Sequence, residues 1–221
     1  FVFAAISWVG LALNREPESE VVKEHIPLRE YFKKLPIILR ENKNYTRFLI
    51  SYSISKLGAM GTGLFIVFGN VNFDLSASQI GLLTSILIGS QAIMNLVWGI
   101  IGDKAGHKAV LLGSAFALAF AALFGWLAAS MTGLIIAFFL LGAGLSGDNV
   151  SKFSIVLEFC KPEDQPTYIG LTNTLLAPVV TLAPLIGGWL ADQAGYRAMF
   201  ITAMTIALIG GLLLTLRVRE P

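Results

Sequence analysis

Three ionisable side chains stand inside otherwise apolar stretches of the sequence: Lys56 in "ISYSISKLGAMG", and Asp148 and Lys152 in "GLSGDNVSKFS". A carboxylate in such a setting can hold a proton or a cationic group, and an ammonium beside it can hold an anion. Asp148 and Lys152 are four residues apart, so on a helix they share a face and can pair directly. Lys56 can join them from another segment. Two readings stay open: exchange of a proton or substrate charge between Asp148 and Lys56 or Lys152, and an ion pair that only fixes packing. Milder candidates surround them. Gln91 and Asn95, also four apart, share a face, and Asn149, Asn173 and Tyr52 can line the same cavity. Each serves equally well as an interhelical hydrogen bond.

The elements that must position these groups are membrane helices. Of 221 residues, 55% are hydrophobic and only 14% charged, with a mean hydropathy of +0.73. That leaves too little polar surface to cover a water-soluble globule. A hydrocarbon core of about 30 Å needs roughly 20 apolar residues per helical crossing. Six such runs fall near residues 47–69, 79–101, 109–130, 133–158, 168–191 and 198–216, and residues 1–13 look like the tail of another. Short polar breaks such as "GDKAGHK", "SMTG", "CKPEDQPT" and "DQAGYR" separate them. At ~1.5 Å per residue, Lys56, Asp148 and Lys152 lie roughly 13, 16 and 10 Å from the same membrane face. An ionisable group at such depth costs at least ~2.5 kcal/mol on insertion scales and therefore faces a cavity or a partner.

Lys and Arg crowd residues 14–46, the break at 102–108, residues 160–167 and the C-terminal tail, whereas Arg197 stands alone on the other side. The crowded side is expected to be cytoplasmic. The sequons at Asn44 and Asn149 are then out of reach of glycosylation. The stretch 14–46 repeats apolar residues at Leu28, Tyr31, Phe32, Leu35, Ile38 and Leu39 with basic residues between them. This fits a helix lying on the membrane surface, bent at Pro36, or a linker packed on the bundle. The expected organisation is thus the end of a preceding span (1–13), a cytoplasmic linker (14–46), a six-helix domain (47–216) and a cytoplasmic tail (217–221). "NREP" at 14–17 and "VREP" at 218–221 each follow an apolar run, with six spans between them. Such repetition suggests twelve spans in all, with this chain supplying the end of the sixth and the last six.

The break "GIIGDKAGHK" carries three glycines suited to close helix approach and a tight turn, one acid and three basic residues. Gly99, Asp103, Lys104, Gly106, His107 and Lys108 match the offsets of the signature that follows the second and eighth spans in the major facilitator superfamily, which this sequence resembles over its whole length. The stretch "KPEDQPTYIGLTNTLLAPVVTLAPLIGGWLADQAGYRAMF" is similar to the tenth loop and eleventh span of many members, with Pro178 and Pro184 expected to bend that span. The "APLIGG" at 183–188 departs from the related antiporter motif at its first position and does not establish antiport. The resemblance implies an all-α membrane protein, a six-helix bundle forming half of a twelve-helix fold. It also implies a cytoplasmic gate, in which Asp103 meets a helix N-terminus of an absent N-terminal half and Lys104 or Lys108 pairs with acids there. The spans bearing Lys56 and Asp148 would be the seventh and tenth, which line the central cavity.

The expected function is secondary active transport of a small solute by alternating access, driven by an ion gradient, with protons expected from Asp148. A non-transporting sensor or interaction protein of the same fold is the alternative. No cofactor, metal or nucleic-acid partner is expected: Cys160 is the single cysteine, only His25 and His107 accompany it, and no basic run is interleaved with aromatics. "GAGLSG" at 142–147 matches a dinucleotide fingerprint but lacks the strand that would precede it, so its glycines, like Gly58, Gly61 and Gly63, read as thin or flexible points between helices. No phosphate-binding loop occurs, and an intramembrane enzyme lacks a nucleophile and base at matching depth. The protein is expected in the cell membrane of a bacterium or archaeon.

Overall fold

Without water to satisfy peptide groups, an apolar chain in lipid must close its own hydrogen bonds, and the helix does so within one segment. The computed structural model describes Trp8 and residues 36–219, and everything below concerns the unit Ile37–Pro221. Residues 1–13 and most of the expected surface helix at 14–46 lie outside the described residues, except Trp8 and 36–46. The helices are α1 (Lys43–Leu57), α2 (Leu64–Phe73), α3 (Ala77–Ala105), α4 (His107–Leu127), α5 (Met131–Glu158) and α6 (Gln165–Arg217), with no strand among the described residues. Five segments are long and apolar enough to cross a membrane: Lys43–Phe73, Ala77–Ala105, His107–Leu127, Met131–Glu158 and Pro162–Arg217. The last contains two crossings. Its helix departs from helical geometry only at Gly195 (φ 84°, ψ 161°), leaving arms 165–194 and 196–217, each long enough to span. Pro178 and Pro184 lie inside the first arm, where the backbone stays helical.

Local chemistry sets the boundaries. Asn42 Oδ1 accepts from the Tyr45 amide at 3.0 Å to start α1, and Ser76 with Gln79 forms a reciprocal capping box at α3. Two reversals expected as polar loops are single residues instead. Gly106, between α3 and α4, has φ 83° and ψ 157°, nearly the values at Gly195. Both sit in the same text, Asp-x-Ala-Gly-x-basic, at 103–108 and 192–197. This backbone region is essentially closed to side-chain-bearing residues.

The first crossing is interrupted by a 3₁₀ turn at Gly58–Gly61 that packs on both arms of α6, Met60 against Gly187 and Gly58 against Ala207. A methyl added at Gly58 would fall 2.6 Å from the Ala207 nitrogen, and one at Gly210 would fall 2.5 Å from the Ser55 Cα. Gly142 in α5 is tighter still, since its methyl would lie 1.8 Å from Ser90 Oγ. The expected thin points are therefore real at Gly58, Gly61 and Gly142, but Gly63 has nothing within 4 Å. Such small-residue contacts are how helices associate where lipid is as apolar as the partner.

A buried hydrophobic cluster joins Phe65, Phe68, Leu134, Phe138, Met199 and Phe200, with Phe65 and Phe200 ring centroids 4.7 Å apart. The opposite end is tied by polar contacts among all the segments expected on one membrane face. Asn44 exchanges two hydrogen bonds with the Arg219 backbone (2.8 and 2.9 Å), Lys108 donates to the Val218 carbonyl (2.7 Å), and Asn42 donates to the Phe159 carbonyl (2.9 Å). Outward faces are apolar: Ile88, Ile93 and Leu96 on α3 and Leu185 and Trp189 on α6 are all exposed. A surface of this kind suits a non-aqueous surrounding.

Candidate functional site

Tyr52 and Lys56 are one helical turn apart on α1, and that face meets Asp148 on α5. The Tyr52 hydroxyl donates to Asp148 Oδ1 at 2.6 Å, and the Lys56 ammonium donates to Oδ2 and forms the ion pair. Lys56 Nζ also lies 5.3 Å from the Tyr52 ring centroid, within cation–π range. Both carboxylate oxygens are thus engaged by strong, charge-assisted bonds. The side chains of Lys56 and Asp148 keep 21% and 12% of their surface exposed, so the pair is reachable and not sealed.

Between this triad and the basic end, α1 presents aromatic rings on successive turns. Tyr52 stacks on Phe48 (centroids 5.3 Å, planes 13° apart), Phe48 meets Phe159 at 5.3 Å, and Tyr45 meets Tyr168 at 4.7 Å. The Tyr45 hydroxyl is 2.7 Å from Thr172 Oγ1, in a buried pair. These residues form a plug on the basic side of Asp148. No expectation from the sequence included it, although Tyr45, Phe48, Tyr52 and Lys56 follow the three-and-four spacing of one helix face.

Of the other candidates, Lys152 is half-buried and does not pair with Asp148. Its ammonium instead lies 4.6 Å from the Phe153 ring centroid, and the contacts to both carboxylate oxygens come from α1. Asn95 accepts from Ser146 at 2.7 Å and helps join α3 to α5, as does Trp98 Nε1 donating to the Ala143 carbonyl at 2.8 Å. Asn149 and Asn173 are exposed and Gln91 is half-buried; the structure does not bring these three to the triad.

The gate motif divides in two. Its second half turns inward: Gly106 makes the reversal, His107 Nδ1 lies 3.1 Å from Ser151 Oγ, and Lys108 holds Val218. Lys108 is therefore committed to the bundle's own tail. The first half faces outward: Asp103 and Lys104 are exposed, and nothing lies within 4 Å of a methyl added at Gly99. Beside this end, beyond the end of α5, burial pushes the Cys160 thiol above its ordinary range and the negative charge of Asp164 adds to the effect.

Apolar helices of spanning length, glycine-mediated contacts and one semi-exposed ion pair within the bundle define an integral, multi-pass α-helical membrane protein. The model of the family described as Major Facilitator Superfamily matches residues 48–221. The chain belongs to that superfamily of membrane transporters. Among its relatives, Multidrug resistance protein MdtL of Salmonella paratyphi A is 28% identical over 178 residues, which is 79% of this chain and 45% of the relative. The same-named protein of Salmonella newport is 27% identical over the same shares. An uncharacterized MFS-type transporter of Mycobacterium tuberculosis is 30% identical over 118 residues, 53% of this chain and 17% of that protein. The chain thus spans less than half the length of these relatives.

Proposed function

We propose that this chain is one six-helix body of a proton-coupled secondary transporter and that it works by alternating access against a second body of the same kind. The observation that carries the reading is the Tyr52–Lys56–Asp148 triad, the only ion pair among the described residues, held inside the bundle and partly open. A proton taken up at Asp148 neutralises the carboxylate and ends its attraction for Lys56. The ammonium is then an unpaired cation that an anionic group of the solute or of the opposite wall can take. Loss of the proton restores the pair. The aromatic plug of Tyr45, Phe48, Tyr52 and Phe159 would close the basic side while the exchange proceeds.

The domain boundaries expected from the sequence, and the outward half of the gate motif at Gly99, Asp103 and Lys104, belong to the same proposal. Those groups are where the second body would engage. Relatives named as multidrug resistance proteins make small organic solutes the first class to test. The test is flux into sealed proteoliposomes containing the complete protein, driven by an imposed pH gradient. Asp148→Asn is expected to abolish gradient-driven flux while leaving gradient-independent exchange measurable. Undiminished pH-driven flux in that variant would falsify the proton assignment, and absence of any flux by the parent protein favours a sensor of the same fold.

A further inference from the structure

The basic end of the bundle carries a second feature, independent of the triad. Arg47, near the start of α1, and Leu216, Arg217 and Arg219, at the end of α6, line one cleft of about 300 Å³. All three arginines are exposed, and none pairs with a carboxylate among the described residues. Three like charges around one cleft repel one another and lower the cost of admitting an anion. The backbone beneath them is held. Asn44 clamps Arg219 through its amide and its carbonyl, and Lys108 takes the Val218 carbonyl. These bonds fix the backbone of the segment that follows α6. They also occupy two carbonyl oxygens that would otherwise add negative potential beside the cleft.

We infer that the Arg47–Arg217–Arg219 cleft binds the phosphate of an anionic membrane lipid. Guanidinium groups match phosphate oxygens in a planar, bidentate way. The position selects a lipid over a soluble phosphate. The cleft opens where two spanning helices end, and Leu216, one of its walls, is 72% exposed and offers an apolar surface beside the charges. A phosphodiester headgroup with its glycerol and acyl chains presents that same sequence of polar and apolar parts. The cleft also lies on the side expected to face the negatively charged cytoplasmic leaflet.

The test uses the complete protein, purified and delipidated in neutral detergent, with binding of fluorescent phosphatidylglycerol followed by anisotropy. Parallel arms use phosphatidylcholine, inorganic phosphate and glycerol 3-phosphate. The parent protein is expected to bind phosphatidylglycerol in a salt-sensitive manner and to prefer it over phosphatidylcholine and both soluble phosphates. At about fivefold per arginine, the triple variant Arg47→Gln, Arg217→Gln, Arg219→Gln should bind on the order of a hundredfold more weakly. A control with the same charge loss elsewhere on this end, Arg40→Gln, Lys43→Gln, Lys161→Gln, all outside the cleft lining, should stay within a few fold of the parent. Arg219→Gln alone, at an exposed position that leaves the Asn44 clamp on its backbone intact, should lose about fivefold if the triple variant cannot be purified. Equal weakening in the control reduces the effect to bulk charge and overturns the site. Soluble phosphate competing as effectively as the lipid overturns the lipid assignment.

Discussion

Replacing Lys56 by methionine keeps the length and the apolar stem of the side chain while deleting the ammonium that Asp148 faces. Breaking a fully buried pair costs about 3–5 kcal/mol, because one charge is left without compensation. The partial exposure of both side chains, 21% and 12%, reduces that to roughly 2–3 kcal/mol by solvent screening. Tyr52 still donates to Oδ1, so the carboxylate is not abandoned altogether. Asp148→Asn leaves the ammonium unpaired and should cost a similar amount. The double variant removes both charges and should regain about 2 kcal/mol relative to the sum of the singles. The assay is reversible unfolding in mixed detergent micelles, followed by helical circular dichroism, for the parent, the two singles and the double. Single costs that add to within about 0.5 kcal/mol would show that the two ions are not coupled, and the geometry assigned to the triad would be wrong.

Tyr52→Phe removes a hydrogen bond to a charged acceptor without changing the ring stack on Phe48, and should cost about 1.5–3 kcal/mol in the same assay. Gly142→Ala places a methyl 2.5 Å from the Leu87 carbonyl oxygen as well as against Ser90, so α3 and α5 must separate; a large fall in folded yield on size exclusion is expected. Gly99→Ala meets open space and should fold normally, so any loss of flux in that variant reports on contacts made outside this bundle. Because the thiolate is the reactive form and burial with Asp164 raises the Cys160 pKa, maleimide labelling at neutral pH should be slower than for a free thiol. The rate should keep climbing with pH past the point where an ordinary thiol levels off. Asp164→Asn should speed neutral labelling, and an unchanged rate would remove the electrostatic part of the cause.

Much of this architecture was legible without coordinates because hydropathy is a local property of the chain. The apolar runs near 79–101, 109–130 and 133–158 lie inside the observed helices, apart from residues 128–130, while the run near 47–69 is split at 58–63 between α1 and α2; the stretches expected on the basic side are tied together by Asn42, Asn44 and Lys108. The residues at 99–108 resemble the superfamily's signature, and the family match over 48–221 bears that resemblance out. What spacing could not supply was azimuth. Asp148 and Lys152 were candidates to pair because they are neighbours on one helix, yet the partner comes from α1, ninety-two positions away in the chain. The same limit hid the aromatic plug, whose rings belong to α1, α6 and the end of α5. The reversal at Gly195 was expected as a polar loop, although its text repeats that of Gly106.

The amino-acid order by itself determined that the described chain is helical and that its helices are long and apolar enough to cross a membrane. Those outcomes follow from the transfer cost of each segment taken alone. The tertiary structure decided which cation neutralises Asp148, which glycines are contact points and which are open, and how the tail is clamped over its arginines. Each of these depends on the rotation of one helix about its axis relative to another, a quantity that packing sets and no single segment contains.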